Sequence, residues 1–396
     1  MTQPRGTARE VLAVFFRLGL TSFGGPVAHL GYFRNAFVVE RTWLDESAYA
    51  DLVALCQFLP GPASSQVGFA IGLTRAGVLG GLAAWVGFTL PSAALLTLFA
   101  AAEGALNGAA GQGLLHGLKL VAVAIVAQAV LGMARSLAPD PARAAIAALA
   151  LMLTAVASGA PGQIAAIGLG AVAGLLVCDR PAASGGGLAA APPSSRRAGL
   201  ACLAAFVVLL ALAFAPWANQ TLAFLAAIVR SGALVFGGGH VVLPLLRAAV
   251  VAPGWVSESA FLAGYGAAQA VPGPLFTFAA FLGAVASAPP GGALGAALAL
   301  VAIFLPGALV LMAALPFWRR LGPGRRARAA MAGVNAAVVG LLASALYDPV
   351  WTSAVRSPVD VALAVAGFSA LVAWRTPPLV VVAALAAAGA ATGIAR

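Results

Sequence analysis

The chain has 396 residues, 62% of them hydrophobic and only 8% charged, where a soluble domain carries about 25% charge. Its mean hydropathy of +1.00 comes from apolar runs spread over the whole length. That excludes a soluble enzyme with one anchor and implies a polytopic protein of the lipid bilayer. The formal net charge of +11 sits on Arg residues between apolar segments, so it is read as loop charge that orients helices and not as a nucleic-acid surface.

In chain order, Arg5 and Arg9 precede an apolar run that Arg17 interrupts. No small-residue cleavage pattern follows, so no cleaved signal peptide is expected. Phe23-Gly24-Gly25-Pro26 comes next, then Trp43, then Gln57-Phe58-Leu59-Pro60-Gly61-Pro62. Apolar segments near 77–100, 113–135, 143–158 and 162–177 complete a first unit, residues 1–177. Residues 178–198, with a Ser-Gly-Gly-Gly run, Pro192-Pro193 and Arg196-Arg197, have the composition of a solvated linker. An extra apolar segment, 199–217, leads into a second unit, 218–396, with apolar segments near 290–315, 326–347, 357–374 and 377–394. Cys56, Cys178 and Cys202 are widely spaced in apolar surroundings, fitting neither a disulfide framework nor a metal site.

The two units are a tandem duplication. A shift of 213 residues places Phe23-Gly24-Gly25 on Phe236-Gly237-Gly238 and Arg17 on Arg230. After a one-residue gap, Trp43 matches Trp255, and Gln57 with Pro60-Gly61-Pro62 matches Gln269 with Pro272-Gly273-Pro274. Further on, Leu90-Pro91 matches Leu305-Pro306, and Gly117-Leu118-Lys119 matches Gly333-Val334-Asn335. The extra segment has no first-unit counterpart, and an odd insertion reverses orientation. Residues 101–112 carry only Glu103, whereas the equivalent loop carries Arg319, Arg320, Arg325, Arg326 and Arg328. Equivalent loops are therefore expected on opposite sides of the membrane. With the Arg-rich loop inside, the N-terminus and linker are cytoplasmic and the C-terminus lies outside. Counting each motif region as two crossings gives 13 membrane segments. The expected fold is all-α, with two inverted repeats and broken or re-entrant half-helices in the motif regions.

Arg17 and Arg230 stand in apolar sequence six residues before their Phe-Gly-Gly. Arg near a bilayer centre is costly, so it faces an interior cavity, snorkels, or pairs with a carboxylate such as Asp51 or Glu46. An inverted repeat that brings the two together presents two planar forks to a divalent oxyanion. Gly24-Gly25-Pro26, Gly237-Gly238-Gly239, Pro60-Gly61-Pro62 and Pro272-Gly273-Pro274 interrupt helices. A new half-helix beginning there directs free N–H groups at the break, an anion site to which Ser64, Ser65 and Thr277 add hydroxyls. Gln57 and Gln269 lie three residues before each turn. The bland alternative is a Pro kink in a continuous helix. Lys119, the only lysine, lies in the apolar run 117–126 opposite Asn335 of the other repeat, as a gating charge or by snorkelling. His29 and His240 flank the Gly motifs without being repeat equivalents; each reads as a structural His ahead of a titrating one. Glu46 and Glu258 follow the tryptophans, where capping of a helix start is the default and proton coupling the alternative. No metal site and no cofactor is implied.

Residues 23–26, 43 and 57–66, repeated in register as Phe236-Gly237-Gly238-Gly239-His240-Val241-Val242-Leu243-Pro244 with Pro272-Gly273-Pro274, resemble the chromate transporter (CHR) family in its long, two-domain form. The resemblance covers about residues 10–175 and 218–394. It implies a cell-inner-membrane protein that moves chromate, with sulfate as the chemically similar competitor, and resistance by efflux; a homodimer is compatible with it. A sulfate or other oxyanion permease on the same scaffold is the alternative within transport. An intramembrane enzyme or a structural subunit of a larger complex is the alternative outside it.

Overall fold

The computed structural model describes residues 6–103, 108–157, 160–178, 195–236, 241–321 and 324–394. Among them every regular element is a helix. Gly237, Gly238, His240 and most of the expected linker lie outside the described residues.

The first motif region forms two hairpins of half-length helices. Helix α1 (Ala8–Thr21) begins under a Thr7 cap and spans about 21 Å at 1.5 Å per residue, short of the roughly 30 Å hydrocarbon core. It ends at the Gly24-Gly25 pair, whose φ angles of 99° and 76° no helix accommodates. Helix α2 (Gly25–Arg34) then runs back. Phe33 and Phe37 reach Phe15 at centroid distances of 5.5 and 4.9 Å, and Phe37 stacks on Trp43. The Arg75 guanidinium lies 4.9 Å over the Trp43 ring and pairs with Glu10 at 3.2 Å. Residue 43 has therefore returned to the level of residue 10. Helix α3 (Glu46–Phe58) enters again, the Pro60-Gly61-Pro62 turn reverses it, and the first leg of α4 (Ala63–Glu103) climbs back to Arg75. At Ala76 and Gly77 the helical geometry breaks, the backbones meet at Gly72 and Gly80, and residues 77–103 run on as a long leg.

Four long or apolar helices follow: α5 (Ala109–Leu137), the pair α6 (Pro141–Val156) and α7 (Ala160–Val177), then α8 (Arg196–Phe214). The second motif region repeats the hairpins with α9 (Gln220–Ala233), α10 (Val242–Val250), α11 (Glu258–Ala268) and α12 (Phe278–Val285). Thr221 Oγ1 donates to Pro289 O at 2.7 Å and Ser287 N to Trp255 O at 2.9 Å, so both hairpins return to the face where they began. The chain closes with α13 (Gly292–Leu321), α14 (Arg325–Ala345), the single turn α15 (Thr352–Ala354), α16 (Pro358–Val372) and α17 (Pro378–Ile394).

This course does not confirm the expected count of 13. Each motif region folds as hairpins of short helices that return to the face where they began. The remaining long or apolar helices among the described residues are 77–103, α5 to α8, α13, α14, α16 and α17. Five helices are long and apolar enough to cross a membrane by length and composition. The shorter α6, α7, α16 and α17 are apolar and pack as pairs against long partners.

Those partners belong to the opposite repeat. Helix α7 packs on α14 with Gly174 against Gly333, and α17 packs on α5 with Gly389 against Gly117. Small residues at matched positions let these backbones touch, as in membrane helix pairs generally. The terminal hairpin of each repeat is thus exchanged onto the other. The exchange also fixes the relative direction of the repeats. His116 meets Asp360 at 2.8 Å and Ala124 meets Gly367, so α16 runs parallel to α5. Because α16 follows α14 by a short reversal at that same end, α14 ends where α5 begins. The equivalent helices α5 and α14 run in opposite directions, the arrangement of inverted repeats.

Candidate functional site: two interlocked helix breaks

At the centre of the fold, the helix break of each repeat meets the Pro-Gly-Pro turn of the other. Gly273 N donates to Ser22 O at 2.8 Å, and Gly61 N donates to Val235 O at 2.8 Å. Ser22 and Val235 are equivalent positions, as are Gly61 and Gly273, so the bonds are related by the pseudo-twofold. Both glycines have positive φ, 120° and 97°. A Cβ on Gly61 would lie 3.0 Å from Gly307 Cα, and one on Gly273 would lie 2.9 Å from Ser92 Oγ. Gly307 and Ser92 again correspond, one residue beyond Pro306 and Pro91. Backbone polar groups freed by a broken helix are costly in an apolar medium. Here each break satisfies a group of the other.

Around the Ser22–Gly273 contact lies a buried polar cluster. His29 on α2 is fully buried, with Nδ1 3.4 Å from Ser64 Oγ at the start of α4 and its ring edge-on to Phe88 at 5.1 Å. The Ser22 hydroxyl is buried and has no hydrogen-bond partner; the Ser65 hydroxyl, also buried and unpartnered, lines a separate apolar pocket with Pro62, Gln66, Trp85 and Phe304. Gln66 donates through Nε2 to Pro60 O at 3.0 Å and to Gly307 O at 2.9 Å, pinning the first turn to α13. Thr277 donates to Pro274 O at 2.7 Å. Beside this cluster is a pocket of about 70 Å³ lined by Gly24, Gly25, Gln128, Gln269, Gly273 and Pro378, among others. The Gln269 amide nitrogen has no hydrogen-bond partner. The pocket contains no charged side chain among its lining residues.

Several expected site residues lie elsewhere. Arg17 and Arg230 do not form a two-armed clamp. Arg17 is on the exposed face of α1, opposite the buried stripe of Val11, Phe15 and Gly19. Arg230 donates to Ala213 O at the end of α8 and stands 5.7 Å over the Phe214 ring. The reason is α8 itself, which covers in the second repeat the helix face that the first repeat leaves open. Gln57 is exposed, while its counterpart Gln269 lines the pocket. Glu46 and Glu258 sit in first turns, but Asp45 and Ser257 do the capping. The two glutamates pair instead with Arg34 at 2.7 Å and Arg247 at 3.0 Å, equivalent bonds on opposite faces. The Arg34 bond holds the Glu46 carboxyl below its ordinary range. Lys119 is buried, within electrostatic reach of Arg356, Glu103 and Glu258. Asn335 buries an unpaired Oδ1. Ser22, Gln66 and Gln128 were not singled out as site residues. Ser22 and Gln66 adjoin quoted motifs, whereas nothing in the sequence marks Gln128.

The family model for "Chromate transporter" matches residues 9–175 and 222–390, which are the two repeats. The chain belongs to the chromate transporter family. Within it, the chain is 31% identical to a chromate transport protein of Pseudomonas aeruginosa, over 96% of this chain and 90% of that one. It is 28% identical to a chromate transport protein of Cupriavidus metallidurans, over 91% and 86% of the two chains. No solved structure matches this member of the chromate transporter family.

Proposed function

We propose that this protein carries chromate, a tetrahedral dianion, from the cytoplasm across the inner membrane. The observation that carries the reading is the reciprocal contact of the two breaks, Ser22 with Gly273 and Val235 with Gly61, beside a pocket with an unpartnered Gln269 amide. Gly24, Gly25 and Gln269 line the pocket with backbone and amide groups, and Ser22, His29 and Ser64 supply a buried hydroxyl and imidazole cluster behind them. Neutral donors in a low-dielectric site bind an anion without the desolvation that fixed cations entail. They also release it more easily, as a carrier requires.

Direction follows from charge. One charge crossing 100 mV is worth about 2.3 kcal/mol, so a dianion leaving an inside-negative cell gains roughly 4.6 kcal/mol, more than a thousandfold gradient. An uncoupled carrier exports, and export of chromate confers resistance. The Arg-rich loop at 319–328 supports an orientation with the N-terminus and linker in the cytoplasm and the C-terminus outside. The test is uptake of labelled chromate and sulfate into everted vesicles, with and without an imposed potential, interior positive. Potential-stimulated chromate uptake that the empty-vector vesicles lack supports the reading. Uptake of sulfate alone replaces chromate with its competitor.

A further inference from the structure

The inner pocket has a counterpart on the opposite face. A cavity of about 270 Å³ is lined by Thr154, Gln163, Arg247, Ser344 and Asp348, among others. The shift of 216 that places Gly117 on Gly333 carries Ile125 and Gln128 of the inner pocket onto Leu341 and Ser344 of this cavity. The shift of 215 that superposes the Gly174 and Gly389 contacts carries Gln163 onto Pro378. Three lining positions of the two cavities therefore correspond across the pseudo-twofold. The cavities differ in charge. Arg247 is held by both carboxylate oxygens of Glu258, at 3.2 and 3.0 Å, whereas Asp348 is the one acid among the described lining residues. Its carboxylate accepts from Thr352 Oγ1 at 3.3 Å and has no ion pair among the described residues. The position equivalent to Asp348 on the inner side is Gly132, one helical turn beyond Gln128.

We infer that the outer cavity is the release vestibule for the transported oxyanion and that Asp348 gives it a lower affinity for a dianion than its inner counterpart. The inference rests on the oxyanion reading above. A carboxylate facing a passing dianion at about 10 Å repels it by a factor of roughly five to ten in affinity at the effective dielectric of a hydrated cavity. Such asymmetry leaves the equilibrium of an uncoupled carrier untouched, because both directions share one gradient. What it changes is kinetic: chromate already outside competes poorly for the carrier and does not stall export.

The experiment uses the full-length protein in everted vesicles. It measures the KM for chromate at the cytoplasmic face, now outermost, and the lumenal chromate concentration that half-inhibits uptake. Asp348→Asn should lower the half-inhibitory lumenal concentration about five- to tenfold, with a smaller change in KM. Asp348→Glu should restore the wild-type value. Gly132→Asp, where an added Cβ meets nothing within 4 Å, should raise KM at the cytoplasmic face by a similar factor. If Asp348→Asn does not reach the membrane, Gly132→Asp decides. The inference is overturned by unchanged lumenal inhibition in an active Asp348→Asn protein, by equal shifts at both faces, or by an active Gly132→Asp protein with wild-type KM. Wild-type vesicles inert to chromate and sulfate alike would overturn the transport reading along with it.

Discussion

The amide of Gly61 donates to the carbonyl of Val235 at 2.8 Å, across 174 residues of sequence, and Gly273 repeats the bond to Ser22. The Pro-Gly-Pro turns are thus joints between repeats as well as helix breaks. Gly61→Ala and Gly273→Ala each force a side chain into positive φ and against Gly307 or Ser92. Each should cost about 1–3 kcal/mol and abolish transport. Thermal unfolding in detergent together with vesicle transport checks both. A stable, active Gly61→Ala protein would show the joint to be dispensable.

Re-entrant hairpins and full crossings predict opposite positions for the first loop. Thr42 lies beside Trp43, at the level of Glu10. In a Cys-free background, Thr42→Cys should react with an impermeant maleimide only in everted vesicles, and Pro253→Cys only in intact cells. Gln112→Cys should label from outside and Gly324→Cys should not. Labelling of Thr42→Cys from outside would restore two crossings per motif region.

Arg17 and Arg230, equivalent in sequence, should respond unequally. Arg230→Gln removes the charged bond to Ala213 O and the contact with Phe214. It should destabilise the protein by roughly 1.5–3 kcal/mol, the range for a hydrogen bond to a charged group. Arg17→Gln breaks no such bond and should leave Tm within a degree or two. Equal losses of Tm would mean that Arg17 has a partner of its own.

Because α6 and α7 pack on α14, and α16 and α17 on α5, neither half carries its own complete core. Residues 1–178 expressed alone should be degraded. Co-expression with residues 195–396 should recover both halves in one complex that co-purifies. Gly117→Leu or Gly333→Leu places a large side chain where backbones touch and should prevent that assembly. Independent stability of residues 1–178 would contradict the exchange.

Much of this was written in the chain. Continuous apolar runs near 20 residues demanded helices in a bilayer, since a backbone in lipid must satisfy its own polar groups. The matched Phe-Gly-Gly and Pro-Gly-Pro motifs marked where helices break, and the extra segment at 199–217 with the Arg-rich loop implied inversion. Those signals are local, set by residues that cannot continue a helix or cannot lie in lipid. What the breaks do was decided by tertiary structure. That Gly61 and Gly273 donate to the opposite repeat, that α7 and α17 change partners, and that Arg230 turns to α8 all depend on contacts between residues far apart in sequence. Periodicity carries no information about those contacts, because apolar helices in lipid have no hydrophobic preference among neighbours and are sorted by backbone fit at small residues. Gln128, unremarkable in an apolar run, faces the central pocket only because the inverted fold brings the Pro-Gly-Pro turn of the other repeat beside it.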